Sequence, residues 1–388
     1  MNIFEKKEYR NLFKEIGKSQ EEIDKKMNEI WDTFFYGSEE ERIYHPVGTD
    51  MGYLEDTGNH DVRTEGMSYG MMICVQLDKK EEFDRIWKWV CTYMWMKDGE
   101  NEGYFAWSCG TDGSRNADGA APDGEEFFAM ALFFASHRWG DGEDIFCYSK
   151  MAKKILQACL HKGENGRMGM SMWNRENKQI LFVPGCDFTD PSYHLPHFYE
   201  LFALWANEED REFFKEAASV SRYYLVKACH PVTGMNAEYA EFDGRPMKRP
   251  LPWTDERHNL FYSDAYRTVA NIGLDYEWFK KDVGQISAAK NLQYYLGVVR
   301  KDNPYMMYEI NGTVLSDTAL HPIGMLAGTA QGSLAVVGCN QGEAAEQLAL
   351  EWVERFWNEP LRKGTRRYYD NCLYFFAYLA LSGNYKIW

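Results

Sequence analysis

Apolar positions recur along this chain in two alternating patterns. In the first they fall every three to four residues, with polar residues between. Phe83, Ile86, Trp87, Val90 and Met94 share one helix face, as do Phe213, Ala217, Val220 and Tyr224, and Leu348, Trp352 and Phe356. Residues 23–35 continue this type behind Ser19-Gln-Glu-Glu22, which has the spacing of a capping box. In the second pattern the helices are apolar nearly all round, at 66–77, 127–136, 198–206, 265–272, 324–337 and 373–381. A helix apolar on every side is buried on every side, whereas an amphipathic one covers a single flank.

The alternation predicts an all-α fold with an inner ring of helices wrapped by an outer ring. Inner helices start near residues 65, 125, 195, 264, 321 and 370, at intervals of roughly 50–70 residues. That spacing is longer and looser than solenoid repeats, and it favours a closed α/α toroid over an open superhelix. Short turns at Trp139-Gly-Asp-Gly142, Trp205-Ala-Asn-Glu208 and Ser382-Gly-Asn384 join each inner helix to the next outer one. The opposite ends carry long connections, at 96–122, 162–191, 234–262 and 301–320, and within the last of these 305–315 reads as a hairpin with an Asn-Gly turn. Long loops on one face place function there. No linker or low-complexity run interrupts residues 1–388, which read as a single domain.

That face carries the chemistry. Glu65, Asp123 and Asp264 each stand where an irregular segment enters an apolar helix. A carboxylate there meets unpaired backbone N–H groups and the positive end of the helix dipole. Brought together, such groups suit the splitting of a sugar–sugar bond. One carboxyl protonates the leaving oxygen, and the other activates water or attacks the sugar. Glu65 is the candidate acid, because an apolar wall beside Gly66 and Met67 raises its pKa while the helix start lowers it, leaving the sign open. Asp264 is the candidate base, with Arg267 one turn on to hold its carboxylate.

Composition narrows the substrate. Aromatic residues reach 16%, with 13 Trp and 25 Tyr, and most of them serve the core. Trp107, on a long loop, can stack on a sugar ring or anchor the loop. The net charge of −16 argues against nucleic acid and anionic membranes as partners and fits a neutral substrate. No run approaches the length of a membrane span, and Met1–Lys7 does not read as a leader. Nine scattered cysteines, several of them (Cys74, Cys91, Cys159, Cys372) in helical patterns, read as free thiols in a reducing, cytoplasmic setting. No cofactor or metal is expected. His194 and His197 lack carboxylate partners at metal-site spacing, and Gly66-Met-Ser-Tyr-Gly70 matches a nucleophile elbow but lies in a helical pattern.

The string Ala121-Pro-Asp-Gly-Glu-Glu126 through Trp139 resembles the signature of glycoside hydrolase family eight. Asp56-Thr-Gly-Asn59, Arg63 to Met72, Asp190 to Tyr199, Ser263 to Arg267 and Arg366 to Asn371 are similar to the same family, most of all to its reducing-end xylose-releasing exo-oligoxylanases, an intracellular branch. The resemblance implies an (α/α)6 barrel and inverting hydrolysis of xylo-oligosaccharides, with Glu65 as general acid and Asp264 as general base. It assigns Asp123 to the central sugar, Tyr193 to the attacking water, and Trp107, Arg267 and Tyr369 to sugar contacts. Pro122, Glu125 and Phe128 depart from the family pattern and are expected to alter contacts near the cleft centre. Pro322 suits the first turn of an inner helix, which leaves His321 at the groove rim, where the Leu320-His321-Pro322 corner is expected to close the leaving-group end. The rivals are an endo-acting xylanase, β-glucanase or chitosanase of the family, a non-catalytic sugar-binding relative, and an epimerase or lyase on a similar barrel.

Overall fold

The computed structural model describes residues 8–254 and 256–388. The reading of Met1–Lys7 therefore lies outside the described residues. Twelve helices build two concentric rings. The inner ones are α2 (Thr64–Gln76), α4 (Pro122–Trp139), α6 (Pro196–Trp205), α8 (Ala265–Phe279), α10 (Pro322–Gln331) and α12 (Arg367–Leu381). The outer ones are α1 (Gln20–Tyr36), α3 (Lys80–Trp89), α5 (Tyr148–His161), α7 (Arg211–Ala228), α9 (Gly284–Tyr294) and α11 (Glu343–Asn358). Each inner helix packs on the next, and α12 returns to pack on α2, so the ring is closed. Helices α3, α5, α7, α9 and α11 back the inner helices that precede them, and α1 backs α12. This is the (α/α)6 barrel.

Local chemistry explains the starts and stops. Ser19 and Glu22 form the capping box of α1 in full, with Ser19 Oγ accepting from the Glu22 N–H and Glu22 accepting from the Ser19 N–H. Pro122, Pro196 and Pro322 occupy the first turns of α4, α6 and α10, where a missing N–H costs nothing. Side chains of α2 and α4 are buried almost all the way round, as their sequences require. Two inner helices meet backbone to backbone. A Cβ on Gly328 of α10 would lie 2.3 Å from the Tyr266 carbonyl oxygen of α8, so only glycine fits that approach.

Three expectations need correction. The inner face of α7 is centred on Phe214, Ala218, Ser221, Arg222 and Leu225, while Phe213 and Val220 are only half-buried. Arg222 disguises that face, because it is a buried cation clasped by both oxygens of Asp275 at 2.8 and 2.7 Å. The helix expected over 324–337 breaks at Gly332 into α10 and a short turn at Ser333–Val336. A Cβ at Gly332 would lie 2.8 Å from Val269 of α8. Ser382-Gly-Asn384 leads to no outer helix. It turns the tail across the floor of the barrel, where Lys386 N–H and Trp388 Nε1 donate to Gln76 at the end of α2.

The long connections lie at the ends where inner helices begin. Strands β1 (Tyr44–Val47) and β2 (Met51–Leu54) pair, as do β3 (Val62–Arg63) and β4 (Ser108–Cys109). The hairpin near 305–315 is β6 (Met306–Glu309) and β7 (Val314–Thr318), turning at Asn311-Gly312, with Gly312 at φ +93°. It takes β5 (Leu260–Phe261), just before Asp264, as a third strand.

Candidate active site

A groove of about 1030 Å³ opens over the starts of the inner helices. Glu65, Trp107, Asp123, Tyr193, Asp264, Arg267, His321 and Tyr369, all eight candidates from the sequence, line it. Three separate helices supply the acids. Glu65 and Asp123 stand in the first turns of α2 and α4, and Asp264 immediately precedes α8.

Arg267, buried in the first turn of α8, joins them. Its Nη1 donates to Glu65 Oε2 at 2.8 Å, to Tyr69 Oη at 2.9 Å and to Asp123 Oδ2 at 3.2 Å. Its Nη2 lies 3.3 Å from Asp264 Oδ1 and 3.7 Å from Asp190 Oδ2. Contacts of 2.8 and 3.3 Å on neighbouring nitrogens of one planar guanidinium cap the separation of those Glu65 and Asp264 oxygens at roughly 8.5 Å. Inverting glycosidases use about 6.5–9.5 Å between their carboxyl groups and retaining ones about 5–5.5 Å, and this upper limit admits both.

Four carboxyls around one cation cannot all carry charge at no cost, and burial grades them. Side-chain exposure is 27% for Asp264, 16% for Glu65, 8% for Asp123 and zero for Asp190. Burial pushes the Glu65 carboxyl up to about 7, with Arg267 opposing and the Asp123 and Asp264 charges adding to the rise. Of the opposing influences left open by the sequence, desolvation is the largest. Burial likewise raises Asp123 against the pull of Arg267, and raises Asp190 well above the carboxylate range with help from Asp264. Asp264 is the carboxyl most open to groove water.

The helix-start argument holds for Asp123, whose Oδ1 accepts from the Gly124 N–H at 2.9 Å. It does not hold for Glu65, whose partners are side chains. Besides Arg267, the Tyr368 hydroxyl donates to Glu65 Oε1 at 2.9 Å. Gly66 makes room for that contact, since a Cβ there would sit 2.5 Å from the Tyr368 hydroxyl oxygen. Tyr368 and Tyr369 lie inside the first turn of α12 and both reach the groove. The Tyr369 hydroxyl donates to the Ser263 carbonyl at 3.2 Å. Ser263 has φ +37°, a left-handed conformation unusual for serine, directly before Asp264.

Trp107 anchors its loop and lines the groove. The residue is 37% exposed, and the Arg63 guanidinium lies 5.3 Å from its ring centre. Its carbonyl accepts from the Thr64 N–H at the start of α2, and its own N–H donates to Gly119. Tyr193 lies with its ring 5.5 Å from the Arg267 guanidinium carbon. His321 faces the far wall, its ring centre 4.8 Å from that of Tyr369 and its Nδ1 3.3 Å from Asp370 Oδ2.

Sequence reasoning passed over several residues here. Asp190 lies within a family-like motif and was given no role, and of Tyr368 and Tyr369, expected to precede α12, only one was expected to face the cleft, whereas both lie inside α12 and line the groove. Asp370 accepts from the Gly324 N–H at 2.6 Å and pairs with Arg362, whose Nη1 also donates to the Leu320 carbonyl at 2.7 Å. One buried carboxylate therefore pins the whole 320–324 corner. The family departures do not touch the cleft. Glu125 is buried behind the wall and accepts from the Phe105 N–H at 3.1 Å, and Phe128 packs against Trp87 and Phe105. His194 is a core residue between Thr189 and Ser221, and Ser68 of the elbow-like string sits inside α2, bonded to the Glu65 carbonyl. Among the described residues no group of three His, Cys, Asp or Glu is placed to hold a metal ion.

The sequence model of Glycosyl hydrolases family 8 matches residues 41–381. The chain is 54% identical to the reducing-end xylose-releasing exo-oligoxylanase Rex8A of Paenibacillus barcinonensis, over 98% of this chain and 97% of that one. It is 24% identical to Endoglucanase 2 of Ruminiclostridium josui, over 92% of this chain and 70% of the other. A solved structure of Rex8A complexed with xylose superposes with a TM-score of 0.94 at 52% identity, covering 100% of this chain and 99% of that one.

Proposed function

Because the chain belongs to glycosyl hydrolase family 8, we propose that its groove hydrolyses short xylo-oligosaccharides, releasing xylose from the reducing end with inversion, and that residues 1–388 form one catalytic domain. The observation that carries this reading is the shared clasp of Arg267 on Glu65 and Asp264. The two carboxyls differ in burial while facing one space.

In this reading Glu65, held near neutral pH by burial, carries the proton that goes to the glycosidic oxygen as the bond breaks. Asp264 takes a proton from a water that attacks the anomeric carbon from the opposite side, and the Tyr193 hydroxyl orients that water. Asp123, fixed by Arg267 and the Gly124 N–H, binds and distorts the central sugar. Trp107 stacks on a sugar on one side of the cut. On the other, the Leu320-His321 corner limits the leaving group to one sugar. Identity of 54% to an exo-oligoxylanase against 24% to an endoglucanase supports the exo reading over the endo one.

The cysteines fit a reducing, cytoplasmic setting, since all nine are unpaired. The net charge of −16 fits a neutral sugar as partner. The test is incubation of pure protein with xylotriose and with cellotriose. Xylose and xylobiose from the first, with little turnover of the second, are expected. Unsaturated products or no new reducing ends would contradict hydrolysis.

A further inference from the structure

Beneath the floor of the groove lies a second, smaller cavity on the barrel axis. It is bounded by successive turns of α8, at Arg267, Ala270, Asn271 and Leu274. Those positions span about 10 Å of helix at 1.5 Å per residue. The space open to the centre of a water-sized sphere is about 30 Å³. A single water needs about 10–15 Å³ on that measure, so two fit.

Its lining is unlike an apolar void. Four of the lining residues each carry a buried polar atom with no protein partner: Arg267 Nε, Ser192 Oγ, His197 Nδ1 and Tyr385 Oη. All four side chains are more than nine-tenths buried. Leaving one such group unsatisfied costs about 1–3 kcal/mol, and here four belong to residues around one space. They come from three separate segments, the entry to α6, the start of α8 and the C-terminal tail, so their proximity is a property of the barrel, not of one turn.

We infer that this cavity is a binding site for two ordered water molecules, which link Arg267 Nε to His197 and Tyr385 and brace the guanidinium from below. Water suits the donor set. Arg267 Nε only donates, the serine and tyrosine hydroxyls do both, and a neutral imidazole offers one of each. His197 is neutral, its pKa lowered to about 3 by burial and by the Arg222 charge. Ions are disfavoured from both sides. Arg267 repels a cation, and the carboxyls of Glu65, Asp123, Asp190 and Asp264 clustered on it repel an anion. Nη1 of Arg267 donates to Glu65, Tyr69 and Asp123, and Nη2 lies near Asp264 and Asp190, so Nε is the nitrogen without a protein partner to hold the plane of the guanidinium. A braced guanidinium keeps Glu65 and Asp264 at fixed separation.

A crystal structure of the ligand-free protein at high resolution tests the site directly. Two density peaks are expected, each about 2.7–3.2 Å from at least two of the four atoms. An empty cavity, or side chains that close on one another, would overturn the inference. So would an anomalous peak there after a bromide soak. The brace has its own readout in the double variant His197→Leu/Tyr385→Phe, which removes two anchors with little change in volume. A looser Arg267 opposes the rise of Glu65 less, so the alkaline limb of kcat/KM should move up by a few tenths of a pH unit. A limb that stays in place in the folded variant would refute the brace. The crystallographic arm needs no activity, so its outcome is independent of the proposed reaction.

Discussion

Arg267 carries four carboxyls on one side chain, and the reaction depends on how differently they respond. Replacing Glu65 by Gln removes the acid, and Asp264→Asn removes the base. Each is expected to lower kcat by about 10²–10⁴ while substrate still binds, checked by steady-state kinetics and by calorimetric titration of xylotriose. The pH dependence follows from the sign of the Glu65 shift. A general acid must be protonated, so kcat/KM should fall as pH rises through about 7. The same shift bears on stability. The native state holds a proton between about 4.5 and 7 that the unfolded state has released, so this carboxyl destabilises the fold progressively across that window. Glu65→Gln should therefore raise Tm more at pH 8 than at pH 4, as scanning calorimetry would show. All eight candidates line the groove. Glu65, Asp123, Asp264 and Arg267 stood out by their place at the starts of apolar helices, whereas Tyr193 and Tyr369 came from the family resemblance. The roles of Tyr368 and Asp190 were not legible, because their contacts lie across the barrel. The Tyr368 bond to Glu65 spans 303 residues of sequence, which no local pattern encodes.

At the scale of elements, the starts of the inner helices are the functional parts. Asp370, in the first turn of α12, caps α10 and holds His321, while Arg362 grips the Leu320 carbonyl. Loosening this corner should relax the size of the leaving group. His321→Ala or Arg362→Ala is expected to release xylobiose as well as xylose from xylotetraose. Chromatography of early products reads a ratio that does not depend on how much protein folds. Unchanged product size would remove the corner from specificity. Gly66→Ala drives a methyl group into Tyr368, so it should lower kcat with smaller effect on Tm than its burial suggests, because the displaced group is a side chain at the groove. The alternation of amphipathic and wholly apolar helices was readable because burial dictates it residue by residue. What misled was a buried ion pair. Arg222 on Asp275 places a cation on the inner face of α7, so hydrophobic periodicity selected a neighbouring stripe.

Across the whole molecule, closure of the ring is what gives distant acids a common groove. Six inner helices starting on one face bring residues 65, 123 and 264 to a single guanidinium. A one-helix gap in an open superhelix would separate them. The periodic sequence pattern already favoured closure, but the contact of α12 with α2 that completes it could only be seen in three dimensions. The stereochemistry of the product tests the central claim most directly. Proton NMR during the first turnovers on xylotriose reports the configuration of the newly formed reducing end. An acid and a base acting from opposite faces of a β-linked sugar predict that xylobiose appears first as the α-anomer and then mutarotates. Xylobiose appearing first as the β-anomer would contradict the pairing of Glu65 with Asp264 across a water.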